Sequence, residues 1–86
     1  MVPFVTRDPD TGYAYIYLEE PRPGMVDDSV PLDDVEGYEA LASIVLDLGA
    51  DGRLVGIEVL GDAREVLRPS ALATAVALSE IRFRRS

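Results

Sequence analysis

The sequence predicts an α+β fold, an antiparallel β-meander of four to five strands with a C-terminal helix packed on one face. Three observations carry this expectation. Short apolar runs alternate at period two between clusters of Gly, Pro and Asp, as half-buried strands do. One stretch, Ser43 to Leu60, reads as a complete hairpin, with Ile44, Leu46 and Leu48 before Gly49-Ala50-Asp51-Gly52 and Val55, Ile57 and Val59 after it. Near the end, Ser70 precedes an Ala- and Leu-rich segment, Ala71 to Leu78, of high helix propensity.

Taken in order, Val2 to Thr6 has strand composition, with Pro3 marking an edge or a strand start. Arg7 to Gly12 is dense in turn formers. Tyr13 to Leu18 then places Ala14, Ile16 and Leu18 on one face of a strand and Tyr13, Tyr15 and Tyr17 on the other. The twice-proline segment Glu19 to Gly24 cannot continue a ladder, and Met25 to Pro31 is the candidate third strand. Val35, Tyr38, Leu41 and Ala42 recur at helical spacing, but Gly37 weakens a helix there, so a short helical turn or loop is expected. Ala63 to Leu67 reads as a single turn or a short extended connection. The expected elements are strands at about 2–6, 13–18, 25–31, 43–48 and 53–60 and a helix at about 70–79, within one domain of residues 1–86. That helix is apolar nearly all round, which predicts burial on more than one side.

Composition removes many functions. The 86 residues contain no Cys, His, Lys or Trp. Thiol nucleophiles, imidazole bases, Schiff-base amines and thiolate or imidazole metal sites are therefore excluded together. A non-enzyme is the expectation, with no catalytic, cofactor-binding or metal residue assigned. The net charge of −8 repels phosphate backbones, so no nucleic acid is expected as a partner. Only Arg82, Arg84 and Arg85 cluster, as a short basic tail. The opening Met1 to Thr6 has no signal-peptide character, and no apolar run is long enough to span a membrane, so a cytoplasmic location is expected.

Three groups of residues invite a functional reading. Asp47 to Glu58 places acids at positions 1, 5 and 12 and glycine at 6 of a calcium loop, but position 3 is Gly49 and both flanks read as strands. A hairpin turn at Asp51-Gly52, with Asp47 and Glu58 on the solvent face of the sheet, accounts for the same residues. The acids Glu19, Glu20, Asp27, Asp28, Asp33 and Asp34 could supply paired carboxylates, although such runs are usually solvated loops. The stripe Tyr13, Tyr15 and Tyr17 is either half-buried packing under a loop or neighbouring strand or a protein-protein or dimer surface, and it is the sharper candidate because tyrosine buries much area at low entropic cost in protein interfaces.

The leading expectation is a small non-catalytic interaction or self-associating module, with a protein partner or a homodimer. Its candidate surface comprises Tyr13, Tyr15 and Tyr17 on the sheet and Leu72 and Val76 on the helix. The alternatives are a carboxylate-based metal or small-ligand binder and an acidic, antitoxin-like partner of a basic toxin.

The residues also resemble a family. Tyr15-Ile16-Tyr17-Leu18 after an Asp-rich turn, Val45-Leu46-Asp47-Leu48, the run Asp51 to Leu60 and Pro69-Ser70-Ala71-Leu72 are similar to the domain of unknown function 2283 family of small bacterial proteins. Gly52-Arg53-Leu54-Val55-Gly56-Ile57-Glu58 is the most specific part of the resemblance. It implies a small sheet-plus-helix domain with no assigned activity.

Overall fold

In a computed structural model, which describes residues 2–33 and 35–77, the chain forms one six-stranded sheet of order β3-β4-β5-β2-β1-β6. The strands are β1 (Phe4–Arg7), β2 (Ala14–Tyr17), β3 (Asp28–Pro31), β4 (Ile44–Leu48), β5 (Leu54–Val59) and β6 (Val76–Ala77). The first five pair antiparallel, and β6 adds to β1 in parallel. This is not a simple meander. A β1–β2 hairpin and a β3–β4–β5 meander join edge to edge, with Tyr15 opposite Glu58 and Tyr17 opposite Gly56. The short third strand is present, narrower than the expected 25–31.

Local chemistry explains both tight connections. In the β4–β5 turn the Gly49 N–H donates to the Arg53 carbonyl and the Gly52 N–H to the Gly49 carbonyl. The Asp51 carboxylate accepts from the Arg53 N–H. Gly52 sits at φ +78°, a left-handed conformation that a Cβ disfavours. A register shift opposite Asp47/Leu48 leaves Val55 as an extra residue between Leu54 and Gly56, so β5 bulges against β4 beside this turn. In the β1–β2 turn the Asp8 N–H donates to the Tyr13 carbonyl and the Gly12 N–H to the Asp8 carbonyl.

Among the described residues, all the helical material lies on one face. Ala14, Ile44, Val59 and Ala63 are buried together, with Val5, Leu41, Leu46, Ile57, Val66, Leu67 and Leu72 packed around them. Leu41 comes from a 3₁₀ turn, Glu39–Ser43, Ala63 and Val66 from α1 (Ala63–Val66), Leu67 from the C-cap of α1, and Leu72 from α2 (Pro69–Leu72). The Asp62 carboxylate caps α1 by accepting from the Arg64 N–H. This face consists of the residues that alternate with the tyrosines, as period two requires.

The C-terminal helix differs from expectation. It is one turn, α2, capped at Arg68 with Pro69 opening it, so Ser70 is inside the turn and not its N-cap. Thr74 bonds back to the Ala71 carbonyl, and Val76 and Ala77 extend to pair with Thr6 and Arg7. Helix propensity in isolation loses to the open edge of β1, which offers backbone partners to a chain passing beside it. Residues 78 and 79 of the expected helix lie outside the described residues.

Candidate functional site

The face opposite the helices carries two rows of side chains. Register places Thr6, Tyr15, Glu58 and Val45 in one row and Phe4, Tyr17, Gly56, Asp47 and Ser29 in the next. Tyr15 leans diagonally across β5 and its hydroxyl donates to Asp47 Oδ2 at 2.6 Å. Ser29 Oγ donates to the other carboxylate oxygen at 2.7 Å. One carboxylate thus ties together β2, β3 and β4, and β5 runs beneath the tyrosine ring.

Gly56 makes that crossing feasible. A Cβ there would lie 2.6 Å from Tyr15 Cε1 and Cζ, well inside contact distance. The glycine is in an extended strand, so the demand is for space and not for an unusual backbone. Asp47 is only 2 % exposed, which corrects the expectation that it points to solvent. A buried carboxylate requires donors, and the Tyr15 and Ser29 hydroxyls supply them.

The network shifts its neighbours' proton affinities. Burial, then the hydrogen bond and adjacent charge of Asp47, push the Glu58 carboxyl up to about 7. Burial, followed by the bond to Asp47 and the charges of Asp47 and Glu58, holds the Tyr15 hydroxyl protonated far above the ordinary tyrosine range. Burial also raises Tyr17. Two carboxyl groups in contact cannot both ionise cheaply, so Glu58 retains a proton toward Asp47.

The aromatic rings continue along the same face. Tyr15 and Tyr17 have centroids 4.5 Å apart at 45°, and Tyr17 stacks on Phe4 at 4.9 Å and 21°. Beside them opens a groove of about 270 Å³ lined by Thr6, Asp8, Tyr13, Ala14, Tyr15, Tyr17, Glu58 and Leu60. Tyr13 is 43 % exposed at its rim.

The structure therefore brings Tyr13, Tyr15 and Tyr17 to one groove and separates them from the two helix candidates. Leu72 packs against the core on the opposite face, and Val76 is in β6 beside Thr6, not on a helix. Asp47 and Glu58 do meet, but as neighbours across β4 and β5; Asp51 bonds Arg53 in the turn instead of joining them. Among the described residues no group of three or more Asp or Glu converges as a metal site would require. None of their helices is long and apolar enough to cross a membrane. Sequence reasoning missed the partnership of Tyr15 with Asp47. Two signals for it were present: a charge inside an apolar strand, Asp47, and a glycine inside another, Gly56.

Comparison with known proteins reveals a family and no activity. No curated protein and no solved structure gives a significant match. The profile of a protein family of unknown function, DUF2283, matches residues 5–61, from β1 to just beyond β5, and thus spans the strands that build the tyrosine–carboxylate network. The chain belongs to the DUF2283 family.

Proposed function

We propose that the chain is a non-catalytic protein-interaction module whose recognition surface is the tyrosine-lined face of its sheet. The observation that carries this reading is the groove itself, lined by three tyrosines on the face opposite the helical elements. Tyr15 is locked by Asp47 and Tyr17 by stacking on Phe4, so both rings are ordered before any partner arrives. Preorganised aromatic side chains bind at reduced entropic cost.

Edge pairing is a weaker route. The Leu32 N–H donates inward to Ile44, so alternation turns the backbone groups of Ser29 and Pro31 outward along β3. The Ser29 N–H is taken by the Asp28 carboxylate, and proline has none to offer. A strand approaching this edge finds its donors withdrawn.

Photocrosslinking tests the reading. A benzophenone side chain at Tyr13, on the groove rim, should give an adduct of defined mass in the producing cell, whereas the same group at exposed Ala50 in the β4–β5 turn should not. Light scattering on the purified chain then decides whether the adduct partner is a second copy. Equal yields from both positions, or none from Tyr13, would refute the tyrosine face as the recognition surface.

A further inference from the structure

We propose that the groove receives an arginine side chain from a basic segment of a partner protein. The proposal rests on the interaction-module reading above and names the chemistry of the partner. Its basis is the combination of charge and aromatic surface in one cavity.

The groove lining includes Asp8 and Glu58 and three tyrosines, and no basic residue. Asp47 lies just beneath, reached through Tyr15 and Glu58. The described arginines near other carboxylates are engaged elsewhere: Arg22 with Glu19, Arg53 with Asp51 and Arg64 with Asp62. Arg7 follows Thr6 in β1 and so faces the helices, not the groove. The acidic side of the cavity therefore lacks a counter-charge from the described residues lining it. Tyrosine faces attract cations through their ring quadrupoles, and a guanidinium can stack on a ring while its N–H groups bond carboxylates. A chain of net charge −8 also draws basic segments toward itself over distance.

The same geometry links binding to protonation. Glu58 faces Tyr15 and Tyr17 on β2 and Asp47 on β4, with Asp8 across the groove. A guanidinium seated there stabilises the ionised form of Glu58 and displaces the proton held toward Asp47. Binding thus releases a proton to solvent, and affinity rises between pH 6 and pH 8.

The test is an NMR titration of the full ¹⁵N-labelled chain with a blocked pentapeptide of alternating glycine and arginine. Saturable shifts at Thr6, Tyr13, Tyr15 and Glu58 are expected, with affinity severalfold higher at pH 8 than at pH 6. Glu58→Gln should weaken binding about fivefold and abolish its pH dependence. Tyr13→Ala, at an exposed position, should weaken binding while leaving the fold intact. A glycine–glutamate peptide should leave the spectrum unchanged.

Shifts that are absent, scattered, or equal for the acidic peptide would overturn the arginine assignment. If Tyr13 still crosslinks a protein in that case, the partner chemistry is wrong while the interaction face stands; if crosslinking fails too, both fall. Binding seen only after combined Arg82→Ser, Arg84→Ser and Arg85→Ser substitution would assign the groove to this chain's own basic tail and overturn a separate partner. A doubled solution mass with Tyr13→Glu restoring the monomer would assign it to a second copy, with the same consequence.

Discussion

Gly56→Ala isolates the structural centre of the tyrosine face. Alanine in an extended strand is ordinarily better than glycine by about 0.5–1 kcal/mol, because the unfolded chain loses freedom. Here the new Cβ would sit 2.6 Å from two carbons of the Tyr15 ring, so the ring must swing away. That movement breaks the hydrogen bond to Asp47, an interaction with a charged group worth about 1.5–3 kcal/mol. The net expectation is destabilisation by about 1–2 kcal/mol. For so small a domain this moves the urea midpoint down by about 1 M. The decisive comparison is the same substitution in a Tyr15→Ala background, where no ring opposes the methyl group. There Gly56→Ala should stabilise by about 0.5–1 kcal/mol, reversing sign. Equal effects in the two backgrounds, or stabilisation of the native chain, would refute the crossing of Tyr15 over Gly56 as the reason for the glycine.

Other predictions test the network and the core. Asp47→Asn keeps an acceptor and removes the charge facing Glu58, so the Glu58 carboxyl should titrate nearer its ordinary 4.5, readable by carboxyl NMR. Asp47→Ala strands the Tyr15 and Ser29 hydroxyls and should cost about 2 kcal/mol more than Asn in urea denaturation. Glu58 titrates near 4.5 when unfolded and near about 7 when folded, so the folded chain holds more protons between those values. Its contribution is complete below the unfolded value and declines as pH rises through about 7. Melting temperature should therefore fall across that window, and Glu58→Gln should flatten the fall. Val59 is fully buried, and Val59→Ala should cost about 2 kcal/mol by denaturation. Leu72→Glu should also lower stability, because Leu72 packs on the core.

Period-two alternation was enough to divide the chain into strands. It separated Ala14 and Ile16 from Tyr13, Tyr15 and Tyr17 correctly, because successive side chains on a strand must point to opposite faces. The β4–β5 hairpin was equally legible, since Gly49 to Gly52 carries its turn chemistry locally. The family was also readable from these strand and turn residues, and its match ends just beyond β5.

Pairing between distant segments was not legible. The β2–β5 join, which brings residues some forty positions apart into register, decides that Tyr15 crosses Gly56 and reaches Asp47. No local pattern distinguishes that sheet order from a meander, because each strand's alternation is the same in both. Residues 73–77 show the same limit. Their composition favours helix, yet the free edge of β1 pairs Val76 and Ala77 as a strand. Which residues face together along each strand follows from backbone geometry and can be read from the alternation alone. Which strands lie side by side depends on long-range pairing, and with it come the buried carboxylate, the required glycine and the position of the groove.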